Sequence, residues 1–458
     1  MVMFNRRRHR DRPPRARRGQ ALGILVAALV VGYVVLISVL PRVGLPRSTD
    51  GRRIVEVWGW NIAAMSLDSL TPAFEQANPE VDVQVKMSGA NLQSRFLLSL
   101  AGGHGAPDVS QLQEREAGKY TATGTLRDLT PWAAKYEKDF PRSFWATAVE
   151  DGKVYAIPWD IAPCAVFYKR WIFEQHQIDP DAIQTWDDFI AAGRLLRERS
   201  GGRTWMMPLA IGSLKDPFQM LMQQNGGGVF DEQGRLMLSH PRNVEALELI
   251  RKLLDSGICL SLSDQNEMLA SYNGDSVATY PGASWMMLNM KDTATSTAGR
   301  WGVFRLPAYR PGGIRNSNQG GSVLIIPAQS EVGADAEKFV EYALCTVDAQ
   351  LQQFKQFGLF PAFLPAHADP RFDEPDPFFG NQHVATLFAE DFEKLQPMNR
   401  TRDWDEAERF IGSNLSRWAT QRLESEAFLR EVERSLARRL GREIAPRPLA
   451  APEAGGER

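Results

Sequence analysis

Asp151-Gly-Lys-Val-Tyr-Ala-Ile-Pro-Trp-Asp160, continuing through Ile-Ala-Pro-Cys-Ala-Val-Phe-Tyr-Lys169, is the stretch whose reading decides the fold. Asp151-Gly152 is a polar hairpin tip, since both residue types accept the dihedrals of a tight turn. Val154, Ala156 and Pro158 then alternate with Tyr155, Ile157 and Trp159, and residues 165–168 form a second apolar strand. Pro158 and Pro163 lack the N–H that a central ladder needs. The chain between them is therefore expected to run extended and leave one sheet for another, with Trp159 and Asp160 facing the space between two lobes.

Upstream, residues 54–58 read as a short strand followed by Gly59-Trp60-Asn61. Residues 66–78 read as one helix capped by Ser66, with Leu67, Leu70, Phe74 and Ala77 on one face. Val81, Val83 and Val85 alternate with Asp82, Gln84 and Lys86 as a strand, and residues 91–101 form a second helix. A third strand starting at 106–109 delivers Ser110, Gln111, Leu112 and Gln113. Alternating strands and helices predict a parallel, helix-covered sheet, and such sheets collect ligands at the carboxyl ends of their strands. Those ends carry Trp58-Gly-Trp60-Asn61 and Gln111 to Glu114.

Downstream, Thr185-Trp-Asp-Asp-Phe189 caps a helix running to about Arg199, and Asn225-Gly-Gly-Gly228 is a sharp turn. Residues 241–255 are a strongly amphipathic helix closed by Gly257. Residues 274–280 form a short strand ending in Pro281-Gly-Ala-Ser-Trp285, with helix from Met286. Residues 301–307 are another extended, Pro-terminated segment and the expected return crossing. Gly320-Gly321 precedes a strand at 322–327, helices follow at 335–344 and 350–358, and residues 403–440 read as a charged helical segment.

The 458 residues are 43% hydrophobic and 24% charged, an ordinary globular composition. The length suits two or three domains or one bilobed unit. A net charge of -2 leaves no global drive toward nucleic acid. Cys164, Cys259 and Cys345 are far apart and odd in number, so they make neither a disulfide framework nor a metal site, and all three read as buried small hydrophobes. Twelve tryptophans are many for this length. Most belong in a core, and a few can serve as exposed platforms in a cleft.

Residues 21–40 carry no charge. A run of roughly 20 such residues has the length of a bilayer-spanning helix. Arginines crowd positions 6–18 before it, which predicts a cytoplasmic N-terminus with the rest of the chain outside. The run is longer than the apolar region of about 7–15 residues in a signal peptide, and Ser38-Val-Leu-Pro-Arg42 offers no small-x-small cleavage site. An uncleaved anchor in the inner membrane is the reading, with cleaved export the alternative. Residues 1–20 then form a basic cytoplasmic head, 41–53 a tether and 443–458 a disordered tail.

No Walker loop, no GxGxxG after a strand, no HExxH and no GxSxG is present, and the six histidines are scattered. Neither a cofactor nor a metal nor a catalytic residue is assigned. An enzyme would have to rest on carboxylates alone, with Asp160 and Glu114 as a glycosidase pair.

One ordered set of motifs runs through the chain: Val55-Glu-Val-Trp58, Phe74-Glu-Gln-Ala-Asn-Pro79, Gly105-Ala-Pro-Asp-Val109, Leu126-Arg-Asp-Leu-Thr130 and Gly152-Lys-Val-Tyr-Ala-Ile-Pro-Trp-Asp160. Phe167-Tyr-Lys169, Thr185-Trp-Asp-Asp-Phe189, Gly226-Gly-Gly-Val-Phe-Asp231, Gly282-Ala-Ser-Trp285, Gly320-Gly-Ser-Val-Leu-Ile-Ile-Pro327 and Ala336-Glu-Lys-Phe339 complete it. In order and spacing the set resembles the extracellular solute-binding proteins of ABC importers, in their carbohydrate-binding, maltose-binding-protein-like group. The resemblance covers about residues 54–440. It implies an α/β fold of two lobes joined by hinge crossovers, the ligand in the cleft and closure on binding. The lobes would be residues 54–160 with 304–346, and 161–303 with 347–442. The crossings would lie at 158–163, at 303–307 and after the helix ending near Leu344. It further implies a monomeric binding domain that captures a sugar or related polyol for the permease subunits of an ABC importer. A membrane-tethered ligand sensor or scaffold on the same fold is the alternative. A transmembrane helix with an arginine-rich head departs from the usual member, which carries a cleaved signal or a lipid-anchored cysteine.

A sugar ring has apolar C–H faces and a rim of hydroxyls, so a matching site needs flat aromatic surfaces and polar groups in the ring plane. Trp60 or Trp58, Trp159 and Trp285 are the candidate platforms. Asp160 can accept from two vicinal hydroxyls through charge-assisted bonds, or can instead hold the hinge. Asn61, Gln111 and Gln113 can donate and accept, and Gly321 lets the backbone approach closely. Trp404 starts a terminal helix that related proteins often bring to the cleft. The ligand-binding set is Trp60, Asn61, Gln111, Gln113, Asp160, Trp285 and Gly321.

Overall fold

A computed structural model describes residues 48–89, 92–121, 124–262, 264–396 and 398–446. By its internal contacts the chain divides into Met1–Arg53 and Ile54–Arg458. In the first unit, the described residues make a turn in which Gly51 N donates to Ser48 O at 2.9 Å. The uncharged run at 21–40 and the tail beyond 446 lie outside the described residues. Among the described residues, no helix is long and apolar enough to cross a membrane.

The strand at the start of the second unit, β1 (Arg53–Gly59), leads into α1 (Asn61–Asp68) and α2 (Thr71–Ala77). Then come β2 (Val81–Met87), α3 (Leu92–Gly102) and β3 (Val109–Gln113). β1 and β3 are parallel, with Val57 opposite Val109 and Trp58 opposite Ser110. Val81 and Val83 are buried while Asp82 and Gln84 are half-exposed, so the two-residue period of β2 reads directly as inside and outside. The single helix expected at 66–78 is instead two. Trp60, in extended conformation, is the N-cap of α1, and Ser66 lies inside that helix with its hydroxyl donating to Ala63 O at 2.9 Å. Pro72 occupies the first turn of α2. A proline has no N–H to continue a preceding turn but fits the start of a new one.

The hairpin Val149–Glu150 with Lys153–Val154 turns at Asp151 and Gly152, both with positive φ, 48° and 75°. It feeds β4 (Ala156–Lys169), which runs 14 residues without interruption. Beyond it lie α4 (Trp186–Arg199), α5 (Lys215–Gln224), α6 (Pro241–Asp255), α7 (Gln265–Asn273), β5 (Thr279–Ala283), α8 (Met286–Thr293) and β6 (Trp301–Arg305). The chain closes with β7 (Asn318–Ile325), α9 (Gly333–Leu344), α10 (Val347–Phe357), β8 (Phe360–Pro361), α11 (Trp404–Thr420) and α12 (Ser425–Leu440). The start of α4 carries a capping box in which Thr185 and Asp188 exchange bonds.

β4 belongs to two sheets along its own length. Its first half is antiparallel to β7, with Ala156 opposite Ile325 and Asp160 opposite Ser322, and β7 in turn pairs with β3. Its second half lies between β5 and β6, where Ala165 faces Gly282 on one side and Arg305 on the other. The prolines mark that passage. Around Pro163, side-chain amides complete the ladder: Asn318 Oδ1 accepts from Ala162 N at 2.9 Å and Asn316 Oδ1 from Cys164 N at 3.1 Å.

Two lobes follow, each with its own core. One gathers Trp58, Phe96, Leu112, Tyr120, Val323 and Ile325. The other gathers Val166, Trp186, Phe218, Ile250, Phe304, Trp404, Trp418 and Leu436. The return crossing falls later than 303–307. Those residues run beside β4 in the second sheet, Phe304 and Leu306 belong to the second core, and Ser317 Oγ still donates to Met220 O at 2.7 Å. The crossing strand is β7. α10, expected in the second lobe, packs on α1, where its Gln353 Oε1 lies 3.3 Å from Ser66 Oγ. The charged segment at 403–440 breaks into α11 and α12. Cys164 and Cys345 are buried, whereas Cys259 is only half-buried.

Candidate binding cleft

A cavity of about 530 Å³ is lined by residues of both lobes. The first contributes Trp60, Asn61, Gln111 and Gln113, the second Lys215, Asp216, Gln219, Trp285, Asn289 and Trp404. Asp160 and residues 318–322 belong to the two strands that cross between them. All seven residues of the expected ligand-binding set line this one cavity.

Their local roles differ. Gln111 is buried and acts as a brace: its Oε1 accepts from Trp60 N at 3.0 Å and its Nε2 donates to Ser322 Oγ at 3.1 Å. It thereby ties the ends of β1 and β3 to β7. Asn61 takes φ 50° as the chain turns from β1 into α1, a conformation asparagine tolerates well. Trp60 is half-buried. Trp285 is 42% exposed, and its ring is held by Nε1 donating to Gln319 O at 3.1 Å. Gly321 has φ 118°, and a Cβ there would meet Phe144 at 2.6 Å and Asp160 O at 2.8 Å. Glycine is needed here for the packing of β7 on β4 and not only for the approach of a ligand.

Among the enclosed polar atoms of the lining that have no hydrogen-bond partner among the described residues are Gln113 Oε1, Asp160 Oδ1 and Trp404 Nε1. Buried polar groups are normally paired, so two acceptors and a donor here call for a polar ligand or water. Burial pushes the Asp160 carboxyl up to about 6, against the opposing hydrogen bonds from Ser322.

Two expected platforms are not in the cleft. Trp159 alternates with Asp160 and so points to the other face of β4. It is 1% exposed and its Nε1 donates to Gln353 Oε1 at 2.6 Å. Trp58 packs in the first core with Arg95 over its ring at 4.5 Å. Glu114, the second carboxylate of the imagined glycosidase pair, is held in an ion pair with Arg400.

Sequence reasoning missed the ionic rim. Arg115, just after β3, lies 3.4 Å from Glu408 of α11, and Lys215 of α5 lies 3.1 Å from the same carboxylate. Burial pulls the Arg400 guanidinium down to about 10 despite the nearby Glu408 charge. Burial, joined by the Asp405 charge, raises Glu116 to about 7. These partners are far apart in sequence and share no motif. Asn318, directly before Gln319-Gly320-Gly321, is the one missed residue that a local signal could have flagged. Among the described residues, no group of three or more His, Cys, Asp or Glu could hold a metal ion.

A bilobed α/β fold with a polar cleft at its crossing strands defines a class of solute-binding protein. The chain belongs to the bacterial extracellular solute-binding proteins, whose family model matches residues 64–345. It is 25% identical over 332 residues to the arabinooligosaccharide-binding protein of Halalkalibacterium halodurans, covering 70% of this chain and 74% of that one. It is similar in structure to the sugar-binding protein MalE of Xanthomonas citri, with TM-score 0.73 at 19% identity over 85% of this chain and 98% of the other. The GacH receptor of Streptomyces glaucescens, solved unliganded and with acarbose, superposes with TM-score 0.72 at 20% identity, covering 85% and 99%. The family consists of binding proteins of transporters, not enzymes.

Proposed function

We propose that the cleft captures a sugar or related polyol and that the protein delivers it to the permease subunits of an ABC importer. The observation that carries this is the set of enclosed, unpartnered polar atoms on Gln113, Asp160 and Trp404 beside the exposed ring of Trp285. A polyhydroxylated ring offers donors and acceptors around its rim and apolar C–H on its faces, which answers both features at once. The sugars named for the relatives support the same substrate class.

In this reading Trp60 and Trp285 are the platforms, and Asp160, Gln113 and Asn61 meet hydroxyls. Gln111 and Gly321 hold the wall in place. The first lobe comprises residues 54–160 with β7, α9 and α10, and the second comprises most of the remainder up to 442. Closure bends the chain where β4 and β7 pass between them. The uncharged run at 21–40 anchors the unit at the outer face of the inner membrane, where a tether raises its effective concentration near the permease.

Isothermal titration against mono- and oligosaccharides tests the substrate class. Saturable binding of at least one carbohydrate is expected. Silence from every carbohydrate, together with tight binding of a peptide or a metal, overturns it. Extraction of membranes with alkaline carbonate tests the anchor: the chain is expected in the pellet, and its release to the supernatant speaks against anchoring.

A further inference from the structure

We propose that the solute is a glycoside with an apolar substituent, an aryl or alkyl group, which occupies a second cavity beside the cleft. This rests on the sugar reading above and goes further in naming what the sugar carries. The second cavity has a volume of about 300 Å³. Four residues line both it and the cleft: Asp216, Trp285, Asn289 and Gln319. The two spaces therefore meet at polar side chains and the tryptophan platform.

Away from that shared boundary the lining changes character. Apart from Ser213, Asp264 and the hydroxyls of Tyr272 and Tyr280 it is aliphatic, aromatic and rich in methionine, with Met207, Leu209, Met220, Met268 and Met286. The Tyr280 hydroxyl is already engaged with Ser271 Oγ at 2.8 Å, so it presents its ring and not a free polar group. A sugar residue extended into this space would lose water from its hydroxyls and find few partners, which is costly. An apolar group leaves water at no such cost. Methionine side chains are unbranched and polarizable, so a methionine-lined wall adapts to aryl and alkyl groups alike. The cleft thus holds the polar ring, Trp285 stands at the junction, and the methionine-lined cavity takes the aglycone.

The test titrates the full-length chain with matched methyl, phenyl and hexyl glycosides of several sugars, all below their micellar concentrations. For any sugar whose methyl glycoside binds, the phenyl and hexyl forms are expected to bind at least about tenfold more tightly, since each buried methylene contributes roughly fourfold. Met268→Gln, a near-isosteric change at a half-buried position, is expected to abolish that gain and leave methyl-glycoside affinity intact. Retained methyl-glycoside binding also certifies the fold of the variant. Equal affinity of methyl and apolar glycosides overturns this inference and leaves the sugar reading standing. A gain that survives Met268→Gln puts the apolar group elsewhere and overturns it too. If no glycoside binds with any substituent, the sugar reading fails and takes this inference with it.

Discussion

Asp160 and Ser322 stand opposite one another on β4 and β7, the two strands that join the lobes. The Ser322 hydroxyl also accepts from Gln111 Nε2 at 3.1 Å, so a cleft carboxylate is coupled through one serine to the end of β3. Hydrogen bonds from Ser322 favour the ionised carboxylate, but burial outweighs them and leaves its pKa near 6. Contact with a ligand hydroxyl would change that balance at the point where the lobes are joined.

Asp160→Asn is therefore expected to separate affinity from stability. Charge-assisted bonds are worth about 1.5–3 kcal/mol, so sugar affinity at pH 7 should fall roughly ten- to hundredfold. The folded pKa of about 6 lies above the ordinary 3.8, so the folded chain holds this proton more tightly than the unfolded chain does. The resulting stabilisation of the wild type is complete below pH 4 and is lost as pH rises through 6. A shift of this size corresponds to about 3 kcal/mol. Urea midpoints should show Asp160→Asn gaining on the wild type between pH 4 and pH 7, and a gap that stays constant with pH would contradict the assignment.

Trp285→Ala and Trp159→Phe should behave in opposite ways. Removing the exposed ring of Trp285 takes away a platform, and a central aromatic contact is worth about 2 kcal/mol or more. Calorimetry should show the affinity falling by an order of magnitude or more with little change in thermal midpoint. Trp159→Phe removes the indole bond to Gln353 and should cost about 1–2 kcal/mol of stability while leaving affinity unchanged.

Arg115→Ala should speed release of ligand from the cleft. Its partly exposed guanidinium reaches the buried Glu408 carboxylate of the other lobe at 3.4 Å, and Lys215 remains beside that carboxylate at 3.1 Å when Arg115 is removed. Such a pair contributes about 0.2–1 kcal/mol, so the ligand off-rate in stopped flow should rise up to about fivefold. The effect should shrink in high salt, because the partly exposed guanidinium end of the pair is screened. An off-rate independent of both the substitution and the salt would show that the pair does not hold the lobes.

Lys169→Met tests a buried amine whose pKa burial pulls down to about 7. Lys169 is fully buried, and its Nζ donates to Ser271 O at 2.7 Å and to Gly274 O at 2.5 Å. It also lies within 6 Å of the rings of Trp171, Tyr280 and Trp301, at 5.8, 5.5 and 5.5 Å. Removing it strands two carbonyls, which costs about 1–3 kcal/mol each, besides the loss of the cation–π contacts. Thermal and urea midpoints should drop accordingly, and an unchanged midpoint would mean those carbonyls find other partners.

Much of the fold was legible because its signals are local. α6 occupies the residues its amphipathic period marked, Pro241–Asp255, and Thr185 caps its helix as the Thr-Trp-Asp-Asp pattern indicated. The proline-bracketed passage of β4 between sheets was legible for the same reason. Trp159 and Asp160 were both expected in the space between the lobes, yet neighbours along a strand take opposite faces, and only the structure shows that Asp160 is the one that meets the cleft. Almost every residue of β4 is buried, so no polar side marks its orientation. Residues 301–307 and β7 both look like extended segments that could cross. Only the pairing of β6 with the second half of β4 shows that the first of them stays in the second lobe.

By itself the sequence determined most of the order of strands and helices, though not the breaks within 66–78 and 403–440, and it determined the turn at Asp151-Gly152, the passage at Pro163 and the residue types able to meet a sugar. Each depends on neighbours a few positions away, through dihedral preference, hydrogen-bond supply and side-chain period. The tertiary structure alone decided that Trp159 is core and Trp285 is exposed. It alone decided that Gln111 braces while Gln113 Oε1 stays unpartnered, that Arg115 and Lys215 converge on Glu408, and that a methionine-lined cavity adjoins the cleft. Those outcomes depend on burial and on contacts between residues up to hundreds of positions apart, which form only when the crossing strands bring both lobes together.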